Sequence, residues 1–336
     1  MKAWQIINKF GLENLKQVNL LSPPLKDDEI RVSIKACSLN YRDLMVVNGI
    51  YNPQQKLPLV PLSDASGIVT EVGSEVKTFK VSDRVASCFF ADHITSEQNN
   101  PQTSALGSPL DGVLRQEAIF KASGLVKIPD YLSYAQASTL PCAALTAFNA
   151  LFNQTNLKPG DTILVMGSGG VSLFALQFAK VLGLNTIVIS SSDEKLNICK
   201  NLGAKYLINY SKNPDWDKQV LEITNNKGVE LVVEVAGAST INQSIKVTKR
   251  GGSIALIGIL SGVEASINLI PILMNSINIR GIFVGTKIMF EQMNRVLNYS
   301  NIMPQIDKEF SFDETKEAFL YLSSQKHCGK ICINLE

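Results

Sequence analysis

The chain has 336 residues, of which 45% are hydrophobic, 18% charged and 7% aromatic, and its net charge at pH 7 is +2. That length accommodates two domains with separate cores, and the composition fits a globular α/β protein. With no concentrated basic block, no apolar run of membrane-spanning length and no charged-then-apolar start, neither nucleic acid nor a membrane is an expected partner, and a cytoplasmic location is expected.

Residues 1 to about 125 carry short alternating or apolar runs between turn signals, for example 29–36 and 67–73. Strands at that spacing predict a partly open β-barrel. The polar stretch 91–111, rich in Asn, Gln, Ser and Pro, reads as a long loop. From about 130 to 299 the rhythm becomes strand, helix, strand, helix. Apolar runs fall at 162–166, 186–189, 206–209, 231–235, 253–257 and 277–284, with helical patterns at 173–182, 193–202, 214–224 and 240–248. Buried strands joined by helical crossovers imply a doubly wound parallel sheet of Rossmann type. A helix near 312–323 and a strand at 330–335 close the chain, and that strand is expected to rejoin the N-terminal domain. The domains are thus expected at 1–126 with 300–336, and at 127–299.

Six scattered cysteines (37, 88, 142, 199, 328 and 332) read as reduced, mostly buried thiols and not as a disulfide framework. Asn153-Gln154-Thr155 has the form of a glycosylation acceptor, which without a secretion signal is a chance occurrence.

The strongest motif is Asp161-Thr162-Ile163-Leu164-Val165-Met166-Gly167-Ser168-Gly169-Gly170-Val171-Ser172, followed by a helical run. A buried strand that enters glycines and opens a helix aims backbone N–H groups and the helix dipole at a pyrophosphate. Small residues at Gly167 and Gly169 permit close approach. Ser172 stands at the third glycine position of G-x-G-x-x-G, where a small residue still lets the helix pack. Ser168, Gly170 and Val171 complete the expected phosphate cradle. Forms that bind NAD usually end the second strand on Asp or Glu. Here that strand ends Ile189-Ser190-Ser191-Ser192-Asp193-Glu194-Lys195, with Ser190 in the acid's place. A carboxylate there would repel a 2′-phosphate by roughly 4 kcal/mol per close charge pair. Hydroxyls at Ser190 and Ser191 together with Lys195 would attract one, so NADPH is the expected cofactor. Asp193 and Glu194 serve equally well as acids in a first helical turn.

With these residues in place, nearly the whole chain resembles the medium-chain dehydrogenase/reductase superfamily, in particular its zinc-lacking, NADP-dependent branch related to quinone oxidoreductases and enoyl reductases. The matching stretches are Ser38-Leu39-Asn40-Tyr41-Arg42-Asp43, Val60-Pro61-Leu62-Ser63-Asp64-Ala65-Ser66-Gly67, Phe79-Lys80-Val81-Ser82-Asp83-Arg84-Val85, Leu140-Pro141-Cys142-Ala143-Ala144-Leu145-Thr146-Ala147, the glycine turn and Ile208-Asn209-Tyr210. The resemblance implies a chaperonin-10-like N-terminal domain beside the Rossmann domain. It implies 2′-phosphate contacts at Lys195 and Tyr210, although Tyr210 would also serve as an ordinary strand-end aromatic. It implies further cofactor contacts at Thr146, Gly258, Ile259, Leu260, Phe283, Val284 and Lys330. Relatives commonly pair through the last Rossmann strand, here 278–284, which implies a homodimer.

Zinc-dependent relatives ligate the metal through a Cys at the position of Asn40 and a His at that of Ser63, neither of which is a usual zinc ligand. The 91–111 loop lacks the four cysteines of their structural zinc, and Cys328 and Cys332 lack two further ligands. The only histidines, His93 and His327, read as loop residues in polar surroundings. No metal is expected. Tyr51 matches a catalytic Tyr of some enoyl reductases; its ring would otherwise be a lid over the nicotinamide. Asn40 can donate an amide hydrogen bond to cofactor or substrate, or close an Asx-turn. Arg42 and Asp43 read as a local salt link with no chemical step. The expected activity is zinc-independent hydride transfer from NADPH to a small activated alkene, quinone or carbonyl compound. An alcohol dehydrogenase or aldehyde reductase of the same superfamily, and an NADPH-binding regulatory or scaffold protein without turnover, are the alternatives.

Overall fold

Alternation decides the first sheet. In the strand Glu29–Ser38, Ile30, Val32 and Ile34 are buried while Glu29, Arg31, Ser33 and Lys35 between them are partly exposed, as a period of two requires, and the last three residues are all buried. The computed structural model describes residues 1–96, 100–153 and 156–335. Three positions of the expected 91–111 loop (97–99) and two of the Asn153-Gln154-Thr155 triplet lie outside the described residues. The chain divides into two units, residues 1–145 with 284–336, and residues 146–283.

In the first unit Glu29–Ser38 pairs antiparallel with Asp64–Val72 and with Glu117–Lys121. The sheet continues through Arg84–Ser87 to Leu125–Lys127 on one side. On the other side it runs through Lys330–Asn334, which does rejoin this domain, to Ile306–Ser311. Its two end strands do not pair with each other, so the curled sheet stays open. Ile30, Val69, Val85, Phe120, Ile331 and Ile333 fill it.

The loop expected from the polar composition of 91–111 is only half a surface loop. Ser104, Ala105, Leu106 and Ser108 are buried, and Ala91 N and Leu106 N bond back to Ser104 O and Phe89 O. The helix Lys287–Ser300 also belongs to this unit, although its periodicity continues that of the alternating region. Asn294 Nδ2 donates to Lys127 O (2.9 Å), Lys287 Nζ to Ala122 O (2.6 Å), and Tyr131 OH to Leu297 O (3.1 Å) and Ile302 O (2.9 Å). The division into compact units falls at 145/146 and 283/284, against the 126/127 and 299/300 expected from the rhythm of the sequence.

In the second unit six parallel strands lie in the order Tyr206–Asn209, Asn185–Ser190, Thr162–Met166, Val229–Glu234, Thr248–Leu256, Asn278–Gly281. The order reverses between Thr162–Met166 and Val229–Glu234, which is where doubly wound sheets bind ligands beyond their carboxyl ends. The helices Gly170–Val181, Asp193–Asn201, Trp216–Ile223 and Ile241–Val247 occupy the crossovers, close to the spans expected of them. Leu164, Ile187, Ile208, Val232 and Ile254 form the buried centre.

Candidate active site

Candidate functional residues occur in both units. In the second unit the strand Thr162–Met166 ends at Gly167, whose φ of +75° is costly for any residue with a Cβ. Gly169 then caps the helix Gly170–Val181 and, as glycine, offers the helix end no capping side chain. Gly169 has extended backbone that any residue adopts, and a Cβ there would meet nothing within 4 Å. Packing within the protein does not require glycine here, whereas a phosphate seated against the first-turn N–H groups of Gly170 and Val171 does. Ser172 is buried and donates its hydroxyl to Met166 O at 2.6 Å. That bond explains how serine replaces the third glycine: its polar atom closes the turn on itself.

The end of the strand Asn185–Ser190 brings several expected residues to one corner. Ser190 is buried, with its hydroxyl 3.4 Å from that of Ser168, and Ser190 O accepts from Tyr210 N at 3.1 Å. Ser191 is exposed, as is the Tyr210 side chain. Lys195 lies in the first turn of the next helix, its N–H bonded to the capping hydroxyl of Ser192 at 3.4 Å. Asp193 is held by Lys212 and by Asn209 Nδ2 (2.6 Å), which lower its pKa. Its carboxylate is thus engaged next door. Lys212 was not singled out from sequence, because its approach to Asp193 depends on the pairing of two strands.

Glu234 was missed for a similar reason. It ends an apolar run and is fully buried. Its Oε1 accepts from Ala236 N, Gly237 N and Thr240 Oγ1, each at 2.9 Å, and its Oε2 accepts from Ser244 Oγ. Next to this turn, Gly258 N donates to Glu234 O at 3.2 Å, and a Cβ on Gly258 would lie 1.9 Å from Val235 O. Ile259 and Leu260 follow, exposed, and Ser261 N and Oγ both reach Ala236 O at 2.8 Å. The loop expected to touch cofactor is therefore built upon the Glu234 turn. Thr146 is buried, and Phe283 is exposed at the far end of this unit.

In the first unit Val284 is a buried β-branched residue at φ +56°, a strained conformation of the kind that collects at functional sites. Asn40 caps the helix Tyr41–Val47, and its N–H donates to Asp43 Oδ2 at 2.8 Å. The Asn40 side chain has a second partner besides the end of this helix. Its Oδ1 accepts from Lys330 Nζ at 2.6 Å, and the same ammonium donates to Leu39 O at 2.5 Å. Only Nδ2 of Asn40 remains to donate.

Asp64 is buried beside this pair, accepting from Ser63 Oγ (2.7 Å) and Cys142 N (3.1 Å). Burial pushes its carboxyl up, against the pull of Lys330, the Ser63 hydroxyl and the Asn40 amide. Burial likewise pushes Asp43 up to about 6, opposed chiefly by Arg42. Tyr51 is 36% exposed, with its ring against the Arg42 guanidinium.

These side chains do not make a zinc donor set. Asn40 Oδ1 faces an ammonium, the Ser63 hydroxyl is turned onto Asp64, and burial pushes the Cys142 thiol well above its ordinary range. Among the described residues no three His, Cys, Asp or Glu side chains are grouped as metal ligands. Cys328 and Cys332 are buried thiols. His93 is not in the polar surroundings expected of it. It is half-buried, edge-on to Phe90 at 5.3 Å between centroids, and burial lowers its pKa.

Known proteins match both units. The alcohol dehydrogenase GroES-like domain family matches residues 26–130, and the zinc-binding dehydrogenase family matches residues 170–298. A zinc-type alcohol dehydrogenase-like protein of Schizosaccharomyces pombe is 42% identical over 334 residues, 97% of this chain and 96% of that protein. The crystal structure of a putative alcohol dehydrogenase from Sinorhizobium meliloti superposes with a TM-score of 0.93 at 35% identity, covering 99% of this chain and 98% of that one. A quinone oxidoreductase from Pseudomonas syringae superposes with a TM-score of 0.84 at 27% identity, covering 99% of each chain. No helix among the described residues is long and apolar enough to cross a membrane.

Proposed function

Because this chain belongs to the medium-chain dehydrogenase/reductase superfamily of oxidoreductases, we propose that it transfers hydride from NADPH to a small activated alkene, quinone or carbonyl compound, without zinc. The observation that carries this reading is the glycine turn, open where a phosphate would sit, beside a strand end that offers serines and a lysine in place of an acid. Bound NADPH supplies the hydride. The N–H groups from Gly167 to Val171 receive the pyrophosphate, and Ser190, Ser191, Lys195 and Tyr210 receive the 2′-phosphate. Thr146, Gly258, Ile259, Leu260, Phe283 and Val284 line the rest of the cofactor. Lys330 has two of its three N–H donors on Leu39 and Asn40, which leaves one donor that would serve the cofactor. Asn40 Nδ2 orients the acceptor.

The Tyr51 hydroxyl gives the proton that completes reduction. Tyr51→Phe removes that hydroxyl and little packing, so kcat should fall by at least about a hundredfold while NADPH affinity holds. A single-turnover rate close to wild type strikes Tyr51 from the mechanism; a loss confined to NADPH binding makes it a cofactor contact.

The names of the relatives favour a second reading, reduction of an aldehyde or oxidation of an alcohol. NADPH consumption with an enone, a quinone and an aldehyde in parallel separates the two. Tight NADPH binding with no turnover of any of them supports a regulatory protein instead.

A homodimer is part of the proposal. The edge strand Asn278–Gly281 adjoins the helix Leu269–Asn275, none of whose residues is buried. Leu269, Ile270 and Met274 stand exposed there, and Leu273 is 79% exposed, an apolar patch of the kind that pairs subunits. Sedimentation at micromolar concentration should give twice the chain mass, and a monomer would refute the pairing.

A further inference from the structure

Arg42 has no task in the chemistry above, yet its side chain is held by two backbone carbonyls and two aromatic rings. Its side chain is 9% exposed. Its guanidinium carbon lies 4.7 Å from the Tyr51 ring centroid and 4.7 Å from that of Phe89. Nη1 donates to Leu106 O at 2.9 Å and Nη2 to Ser108 O at 3.1 Å, while Asp43 Oδ1 stands 3.7 Å from Nη1. A planar cation can offer its faces to aromatic rings while its edge bonds carbonyls; an ammonium cannot do both. Phe89 is fully buried and packs edge-on to Phe90 at 4.7 Å, so that side of the arrangement is fixed.

Tyr51 is the exposed side, and its hydroxyl makes no hydrogen bond among the described residues. The chain that carries Tyr51 is tied down once more at the same backbone. Gln55 Nε2 donates to Pro109 O at 3.2 Å, and Ser108 Oγ donates to Gln55 Oε1 at 2.8 Å. The place of the Tyr51 hydroxyl is thus set through its ring and its loop, and both lead to Arg42 and residues 106–109.

We propose that Arg42 is a positioning residue, a flat clamp between Phe89 and Tyr51 that fixes where the Tyr51 hydroxyl meets the acceptor. This rests on the reading of Tyr51 as proton donor. Misplacing a reacting group by about 1 Å can cost about a hundredfold in rate. Arg42→Lys keeps the charge and loses the flat face and the second carbonyl bond. It should lower kcat for enone reduction about tenfold or more, with KM for the acceptor and NADPH affinity by fluorescence little changed.

The decisive measurement repeats Arg42→Lys in a Tyr51→Phe background, where it should have almost no further effect on kcat. An equal loss in both backgrounds, or a change in the unfolding midpoint alone, overturns the positioning role. A large deficit in Tyr51→Phe with none in Arg42→Lys overturns the role of Arg42 and leaves Tyr51 standing. A silent Tyr51→Phe removes both. If Arg42→Lys does not fold, Phe89→Leu opens the other face of the clamp and leaves the carbonyl bonds of Arg42 intact. Its kcat deficit should also require the Tyr51 hydroxyl, and a deficit that persists in Tyr51→Phe refutes the proposal.

Discussion

Glu234→Ala should be the most damaging single change at the nucleotide end of the second sheet. The carboxyl group accepts four hydrogen bonds. Two of the four donors have alternatives: Thr240 Oγ1 lies 3.3 Å from Gly237 O, and Ser244 Oγ 3.8 Å from Met166 Sδ. The N–H groups of Ala236 and Gly237 have none. A buried amide left without an acceptor costs about 1–3 kcal/mol; the Gly237 N–H is in a buried bond and that of Ala236 in a part-buried one, so the loss should be about 2–4 kcal/mol. Glu234→Gln keeps one acceptor oxygen for both amides and should lose only about 1 kcal/mol.

Urea denaturation measures the difference. The chain has two tryptophans, Trp4 and Trp216. In a Trp4→Phe background the buried Trp216 reports on the second unit alone. The midpoint should drop for Ala with the slope unchanged, and NADPH should bind more weakly because the loop from Gly258 to Ser261 is bonded to this turn. A loss under about 1 kcal/mol for Ala, or Ala no worse than Gln, would show that Glu234 is not what closes the turn.

NADPH should bind at least about tenfold more tightly than NADH, about 1.4 kcal/mol, and Lys195→Ala should erode that preference mainly by weakening NADPH; equal affinities in the wild type refute it. Purified protein should contain no stoichiometric zinc and lose no activity to a chelator, whereas one tightly held zinc per chain by elemental analysis contradicts the donor-set argument. Burial holds a proton on Asp43 up to about pH 6 in the folded chain, while an unfolded Asp releases it near 4. The folded state therefore binds the extra proton between those values, and this group lowers stability as pH rises from about 4 to 6. Asp43→Asn should flatten that slope in denaturation midpoints across the interval, and an unchanged slope sinks the assignment.

The sheet of the second unit was legible because its inner strands, such as Thr162–Met166 and Asn185–Ser190, are buried and read as apolar runs, and the glycine turn because its geometry restricts residue choice locally. What escaped depends on long-range pairing. Glu234 looked like the polar end of a strand until its four donors were assembled from residues 236 to 244. The clamp on Arg42 unites positions 42, 51, 89, 106 and 108, and nothing in their spacing marks them as neighbours. The helix Lys287–Ser300 follows the strand-helix rhythm of the Rossmann region perfectly well, yet its bonds to Ala122 and Lys127 attach it to the other unit. Rhythm reports the local period of a segment; it does not report which surface the segment packs against.

The bond from Lys330 to Asn40 joins residues 290 positions apart, and this has a consequence for how the protein is made. Asn40 leaves the ribosome early, but its amide has no cation to anchor it until the strand Lys330–Asn334 follows. Residues 146–283, an uninterrupted stretch, are all available before then. During synthesis the nucleotide-binding half can be finished first, and the residues expected to handle the acceptor become ordered last.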